Sequence, residues 1–124
     1  MQRSLVGSEM CIREEYIEKH LYDVLLSIEE TESYFEGSPS VYQDFEKDIL
    51  RQRAVERNVE IMGEAINRIL KIDPDFQLPH ARAIVNTRNR VIHGYDSVTP
   101  DFLWTLIMNH IPALKRDVME LLEK

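Results

Sequence analysis

A short stretch at residues 87–96 concentrates side chains that can bind phosphate and transfer a proton. It reads Thr-Arg-Asn-Arg-Val-Ile-His-Gly-Tyr-Asp and contains Arg88 and His93. Arginine presents a planar fork that matches phosphate oxygens, and histidine has an ordinary pKa suited to proton transfer at neutral pH. Such a pair could cleave RNA without a metal. The histidine would assist attack by the 2′-OH or protonate the leaving oxygen, and the arginine would stabilise the phosphorane.

The spacing of this pair leaves a second interpretation open. Arg88 and His93 are five residues apart, which separates them by about 140° around a regular helix. They would converge only if the helix unwinds near His93, and Gly94 allows this. Otherwise both side chains only cap the helix end and pair with acids. Tyr95, on its residue type alone, is as well explained by packing over the helix end.

Other catalytic signatures are missing from the sequence. The residues that could ligate a metal are Cys11, His20, His80, His93 and His110. No two of them have the spacing of a zinc motif, so no metal site is predicted. Neither a glycine-rich phosphate loop nor a GxSxG turn occurs. We expect Cys11, the single cysteine, to be a small buried apolar residue in a reducing cytosol.

Composition and length predict one globular domain that does not enter a membrane. The chain has 124 residues, of which 44% are hydrophobic and 30% charged, as in soluble proteins. No apolar run approaches the roughly 18–20 residues that span a bilayer. The first ten residues contain no apolar stretch of signal-peptide length, about 7–15 residues. We therefore expect a cytoplasmic protein.

The net charge of −7 has the wrong sign for a nucleic-acid binder, but the charge is unevenly distributed. Residues 1–40 carry nine acids and three bases, whereas residues 41–98 carry nine of each. The middle of the chain is rich in arginine. A local basic face is therefore compatible with an acidic protein, although a mixed solvated helix surface explains the same counts.

Apolar residues recur with helical spacing along the chain. The pattern predicts a first helix over residues 10–35, ended by a Gly-Ser-Pro sequence. A second helical region starts near Ser40, which forms a capping box with Gln43, and runs to residue 70. Asp48 could cap a fresh start inside this region, so one continuous helix and two successive helices are both compatible with it. Gly63 lies in its interior, where glycine usually marks a close approach of two helices.

Two further helices complete the pattern. One begins at Leu78-Pro79 and is ended by Gly94. The last begins at Thr99 as the N-cap, with Pro100 in its first turn, and Pro112 should kink it. The prediction is an all-α, antiparallel bundle of four to five helices. Residues 11–124 form its single domain, and residues 1–10 are a flexible extension.

Three sequence blocks resemble the HepT-like toxins, a branch of the HEPN superfamily. The stretch 88–95 resembles the R-x4-H-x-Y motif of that family. Upstream, residues 54–65, AVERNVEIMGEA, resemble a block that reads AVxRNxExIGEA. Downstream, Trp104 and residues 111–115 resemble the final helix. The blocks stand in the family's order and together cover about residues 15–122.

The resemblance implies a HEPN-like bundle that forms a two-fold homodimer. Two R-x4-H motifs then meet across the interface in a composite, metal-independent ribonuclease site. By this resemblance Arg88 and His93 are catalytic, and Asn89 is a supporting polar residue. Tyr95 matches the tyrosine to which an MntA-type nucleotidyltransferase antitoxin adds AMP, which silences the toxin.

The resulting hypothesis is a cytoplasmic toxin of a prokaryotic toxin–antitoxin pair that cleaves RNA, with the antitoxin as protein partner and no cofactor. The alternative is a non-catalytic HEPN-type module that binds a nucleotidyltransferase or a nucleotide. In the first case Arg88 and His93 are exposed in a cleft; in the second they are buried in ion pairs or face solvent alone. A purely structural helical subunit is a third class, which predicts no effect on RNA.

Overall fold

The computed structural model describes residues 8–36, 41–93 and 98–123, with side chains from Ile12 onward, and these ranges contain helices and no strands. The elements are α1 (Ser8–Ser33), α2 (Tyr42–Lys47), α3 (Ile49–Ile72), α4 (Ala81–Ile92), α5 (Pro100–Thr105), a π-helical turn (Leu106–His110) and α6 (Ile111–Glu123). The segments α5, π-turn and α6 follow one another without a break. With these counted as one, five helices form the bundle, so the predicted all-α class is confirmed.

Contacts at both ends of α1 show that it runs antiparallel to α3. Near its start, Arg13 donates a hydrogen bond to the carbonyl of Ile72, 2.9 Å away at the end of α3. Just past its end, the Tyr34 hydroxyl accepts from the Asn58 amide at 3.0 Å. α4 packs on the far half of α3, and α6 returns along α1, where Lys115 pairs with a glutamate of α1.

Eighteen apolar side chains from all the long helices form one continuous core. From α1 it takes the stripe that helical spacing predicts, including Val24 and Ile28, and from α3 it takes Val59 and Ile66, all at most 1% exposed. Burial of these stripes orients α3 and α4 against one another, because each helix must turn its apolar face inward.

Two helix starts lie elsewhere than the sequence predicts. The N-cap of α2 is Val41, which makes no capping bond through its side chain. The predicted capping box of Ser40 and Gln43 involves Ser40, which lies outside the described residues. α4 begins at Ala81 rather than at Leu78-Pro79. Leu78 is instead buried against the core in the turn before α4, and this burial competes with an earlier start of the helix.

Two predicted caps are confirmed. The Asp48 carboxylate accepts a hydrogen bond from the backbone N–H of Arg51 at 3.0 Å, so α2 and α3 are successive helices rather than one. The Thr99 hydroxyl accepts from the N–H of Phe102, with Pro100 as the first helical residue. Each bond satisfies a backbone donor that a helix start leaves unpaired.

A π-helical turn, Leu106–His110, lies just before Pro112 in the last helical segment. The N–H of Ile111 donates to the carbonyl of Leu106, five residues back. A π-turn is a known way to absorb a break in the α-helical ladder, and proline has no N–H to contribute to that ladder. The hydrogen-bond pattern thus changes on the N-terminal side of Pro112, and the kink predicted there stays a prediction.

Some sequence predictions lie outside the described part of the chain. The division at residue 10 stays a prediction; α1 begins at Ser8, and residues 1–7 are outside the described ranges. The side chain of Cys11 is outside them as well. Within the described residues, no helix combines the length and the apolar content needed to cross a membrane.

Candidate active site

Arg88 extends from α4 across α3 at Gly63. A Cβ atom built on Gly63 would lie 2.6 Å from the Cβ of Arg88 and 2.8 Å from its Cγ. Contacts this short do not occur between carbon atoms, so the helices can hold this distance only with glycine at residue 63. The close approach predicted for Gly63 is confirmed, and the group that approaches it is the stem of Arg88.

The guanidinium of Arg88 is held between two helices. Its Nη2 donates to Oε2 of Glu64 at 2.8 Å, and its Nη1 donates to Oδ1 of Asn89 at 3.0 Å. The side chain is 21% exposed. Its Nε is buried and has no hydrogen-bond partner among the described residues. Asn89, predicted as the supporting polar residue, thus contacts the arginine directly.

Glu64 is shared by two arginines, since it also accepts from Arg68 at 3.1 Å. Hydrogen bonds from Arg68 and from Arg88 lower the pKa of the Glu64 carboxyl below its ordinary value. The carboxylate is about half exposed, and exposed ion pairs of this kind contribute little to folding. An anion from solution can therefore compete with Glu64 for the guanidinium of Arg88.

The guanidinium borders a groove of about 390 Å³ between α1, α3 and α4. Its charged lining consists of the cations Lys19, Arg57, Arg68 and Arg88 and the carboxylates Asp23, Glu60 and Glu64. His20, Ile61, Ala65 and Ile92 complete it. Although the protein is acidic overall, the groove contains more cations than carboxylates. The groove therefore has one formal positive charge in excess on a lining where both signs are mixed.

His20 of α1 forms part of the groove wall and is only 2% exposed. Neither of its ring nitrogens has a hydrogen-bond partner among the described residues. Its Nδ1 lies 3.6 Å from Oδ2 of Asp23, which is too long for a hydrogen bond. The ring contacts Tyr16 edge to face, with centroids 4.5 Å apart. A buried polar atom that lacks any hydrogen-bond partner costs about 1–3 kcal/mol, so these two nitrogens call for a partner outside the described residues.

The buried His20 predicts a pH dependence of stability. Burial, with a smaller contribution from the charge of Lys19, lowers the pKa of His20 below its ordinary value of 6.5. The unfolded chain therefore takes up this proton at a higher pH than the folded chain does. The free energy of unfolding should decrease as the pH falls below about 6.5 and should gain nothing from this group above that value.

Denaturant unfolding between about pH 5 and pH 7.5 measures this dependence. His20→Phe cannot titrate, so its stability should fall less than that of the wild type as the pH is lowered through this window. Parallel pH profiles for the two proteins would contradict the assignment.

His93, the second residue of the R-x4-H motif, is exposed at the C-terminal end of α4. Its backbone N–H donates to the carbonyl of Asn89 at 3.1 Å, with φ −79° and ψ −2°. The helical ladder thus continues up to His93, and the unwinding that would bring Arg88 and His93 together is not present before Gly94. The other arginine of the motif, Arg90, stacks on the ring of Phe102 at 4.7 Å and so joins α4 to α5.

Tyr95 lies outside the described residues, as does Gly94. Its proposed role therefore stays a prediction. Among the residues that the structure does describe, no three His, Cys, Asp or Glu side chains are close enough together to share a metal ion.

Gly63→Ala should destabilise the protein, even though alanine is the better helix former by about 1 kcal/mol. The new methyl group collides with the Cβ of Arg88, which cannot rotate away, and overpacking of this kind costs about 1–3 kcal/mol. We expect a lower free energy of unfolding and a displaced Arg88. Denaturant unfolding measures the first effect. In an Arg88→Gly background, which removes the Cβ together with Cγ and Cδ, the penalty should disappear; an equal penalty in both backgrounds would exclude this contact as its cause.

Two groups of this site were not identified as such from the sequence. His20 entered the sequence analysis only as a possible metal ligand. It lies three residues after Ile17 and four before Val24, on the apolar stripe of α1, and a titratable residue on such a stripe is the signal that marks it. Glu64 lies within the family-like block, but its pairing with Arg88 across 24 residues has no signature in spacing.

The fold and the motif together define a HEPN-type helical protein. Within that class, the chain belongs to the HepT-like ribonuclease family, whose model, "Ribonuclease HepT-like", matches residues 24–121. The match confirms the resemblance found in the sequence blocks, and the ribonuclease class expected from them is the class of this family.

Individual relatives agree with the family. A protein from Caldanaerobacter subterraneus subsp. tengcongensis whose name describes it as an RNase is 34% identical to this chain over 87 residues. The aligned region covers 67% of this chain and 75% of the relative. A protein from Thermococcus cleftensis whose name describes it as ribonuclease HepT is 33% identical to this chain over 100 residues. The aligned region covers 77% of this chain and 86% of the relative. No solved structure matches the chain significantly.

Proposed function

We propose that this protein is a metal-independent endoribonuclease and the toxin of a prokaryotic toxin–antitoxin pair in the cytoplasm. The observation that carries the proposal is the placement of Arg88. Its guanidinium borders a groove lined by four cations and three carboxylates, and Gly63 leaves the room that its stem needs. Membership of a ribonuclease family supports RNA as the substrate.

In this mechanism His93 and Arg88 divide the chemistry between them. His93 accepts the proton of the 2′-OH as the oxygen attacks the adjacent phosphorus, or it returns a proton to the departing 5′-oxygen. Arg88 stabilises the additional negative charge on the phosphorane through its guanidinium N–H groups. The 2′-oxygen forms the new bond to phosphorus and the bond to the 5′-oxygen breaks, so the product is a 2′,3′-cyclic phosphate.

A homodimer would supply what one chain does not bring together. Within α4, Arg88 faces α3 whereas His93 lies exposed past the end of the helix. The exposed Ile92, at 52%, lines the groove beside Arg88 and is an apolar residue that a partner subunit could cover. A two-fold axis near residues 88–93 would place the histidine of one protomer near the arginine of the other.

The proposal extends to control by an MntA-type nucleotidyltransferase. The Tyr95 hydroxyl would attack the α-phosphorus of ATP, forming a new O–P bond as pyrophosphate leaves and the phenol proton passes to solvent. The attached AMP adds negative charge two residues from His93, where it would compete with RNA phosphates for Arg88.

RNA cleavage by the purified wild-type protein in EDTA tests the nuclease proposal, with the product ends identified by mass spectrometry. Cyclic phosphate ends in EDTA support it, and cleavage only with added Mg²⁺ would overturn it. Sedimentation at micromolar concentration tests the dimer.

One observation favours the second candidate, a non-catalytic HEPN-type module. Arg88 is paired with Glu64 and is largely covered, as that alternative requires. Such a module would bind a nucleotide or a nucleotidyltransferase without cleaving RNA. The half-exposed state of Glu64 favours the nuclease, because the pair can open to a competing phosphate.

A further inference from the structure

Two buried nitrogen-bearing groups beside the same groove have hydrogen-bonding capacity that no described residue uses. One is the imidazole of His20, with both ring nitrogens unpaired, and the other is Nε of Arg88. Buried polar atoms are satisfied in the great majority of native structures, so exceptions call for an explanation. Among the described residues three have such atoms: His20 and Arg88 border this groove, and Asp117 of α6 does not. The two that meet at the groove suggest a missing hydrogen-bonding ligand there.

The position of the imidazole relates it to the groove rather than to the core. Its Nδ1 is 3.6 Å from the Asp23 carboxylate, which itself lines the groove. Lys19 pairs with the same carboxylate at 3.1 Å. The nitrogen therefore faces the side of the groove that carries the charged residues.

The charges of the groove indicate the kind of ligand. Lys19 pairs with Asp23, and Arg57 with Glu60, but Glu64 is divided between Arg68 and Arg88. One positive charge of the lining is thus left over. The unpaired Nε of arginine can only donate, and a neutral imidazole always offers one N–H. An anion rich in acceptor oxygens can accept a hydrogen bond from the Nε of Arg88 and from the one N–H of the imidazole.

Resting on the proposed function, we infer that this groove binds a phosphodiester group of the substrate RNA, with His20 and Arg68 as ligands beside Arg88. The groove volume of about 390 Å³ falls in the range of sites that hold small-molecule groups, about 300–1,000 Å³. The phosphate competes with Glu64 for the two arginines, and His20 donates its ring N–H to a phosphate oxygen. His20 is thereby an RNA-binding residue, separate from the Arg88 and His93 motif in sequence.

This role predicts opposite effects of one substitution on stability and on binding. His20→Phe keeps a planar ring of similar size and removes both unpaired nitrogens. The free protein should therefore be at least as stable as the wild type. RNA binding should weaken about tenfold, since a hydrogen bond to a charged group is lost. A residue with a merely structural role would not weaken binding while preserving stability.

The experiment measures binding of a short, fluorescently labelled oligoribonucleotide with 2′-O-methyl groups throughout, which cannot be cleaved. Wild type, His20→Phe, His20→Gln and the control His80→Phe are compared by fluorescence anisotropy and denaturant unfolding. His80 is also partly buried, but it does not line this groove. We expect weaker binding for His20→Phe, partial retention for His20→Gln, whose amide can donate, and unchanged binding for His80→Phe.

A second arm identifies the recognised group. The imidazole signals of His20 in the full-length protein are followed by NMR with inorganic phosphate and with uridine, which lacks phosphate. A shift with phosphate supports the inference, and a shift with uridine alone overturns it in favour of base recognition.

Failure of this inference can be told apart from failure of the proposed function. If the wild type cleaves and binds RNA while His20→Phe binds equally tightly, the inference is overturned and the nuclease stands. If the wild type binds the oligonucleotide through His20 but cleaves no RNA, the groove is supported and the nuclease fails. If the wild type binds no RNA, both are overturned.

Discussion

Alanine at His93, or at Arg88, is expected to reduce RNA cleavage by at least about 10²-fold, the scale on which a positioned proton-transfer group acts. His93 is exposed at the end of α4, so its loss leaves the core intact. Loss of Arg88 leaves Glu64 paired with Arg68, so no carboxylate is stranded. Both variants should therefore fold, and the lost activity should reflect the chemistry rather than the bundle.

Two neighbouring residues provide matched controls. Arg90 is the control for Arg88, because it is an arginine of the same helix that stacks on Phe102. His80 is the control for His93, because it is the histidine at the N-terminal end of α4. Arg90→Ala and His80→Ala should retain cleavage within a fewfold of the wild type, once stability is matched. Initial rates on a labelled RNA, with circular dichroism to verify folding, make the comparison. Activity that survives either Arg88→Ala or His93→Ala would overturn the proposed mechanism.

Mixing the two inactive variants tests whether the site is shared between protomers. A heterodimer of Arg88→Ala and His93→Ala contains one arginine and one histidine from different chains. If the site is composite, subunit exchange should restore about a quarter of wild-type activity, since half the dimers are mixed and each has one complete site. If both residues act within one chain, no activity returns.

If the proposed regulation holds, Tyr95→Phe should remain folded, dimeric and toxic, but should escape neutralisation by an MntA-type nucleotidyltransferase. The substitution removes only the hydroxyl that would carry AMP. Because a covalent adenylyl group is confined to its attachment residue, its loss should change regulation and leave cleavage unaltered. The effect on growth should be large: cells expressing both proteins should survive with the wild-type toxin and arrest with the variant.

Intact-protein mass spectrometry is the direct measurement. The wild-type protein, incubated with the partner enzyme and ATP, should gain the mass of one or more AMP groups, and Tyr95→Phe should gain none. Tyr42→Phe is the matched control, since the Tyr42 hydroxyl is committed to a hydrogen bond with Asp101. A mass gain that persists in Tyr95→Phe would disprove this mode of regulation and leave the nuclease untouched.

Local chemistry explains why some elements could be predicted from sequence and others not. Asp48 and Thr99 cap helices because their own side-chain oxygens reach a backbone N–H three residues on. The predicted start at Leu78-Pro79 was wrong, because proline in a first helical turn is only a weak local preference. In the structure, Leu78 is buried, and its carbonyl accepts from the N–H of Ala81 at 3.0 Å in the turn that precedes α4.

The sequence by itself determined the helical class, the family and the Arg88–His93 motif, since periodicity and short motifs are properties of neighbouring residues. Only the tertiary structure decided the surroundings of Arg88. The aliphatic part of Arg88 packs against Gly63, and its guanidinium donates a hydrogen bond to Glu64. The groove beside it is also lined by His20, 68 positions earlier in the chain. These contacts join three helices, and their distances depend on how apolar stripes pack against each other, which no local pattern encodes. For that reason a histidine that looked like an isolated candidate ligand in the sequence lies in the wall of the candidate active-site groove.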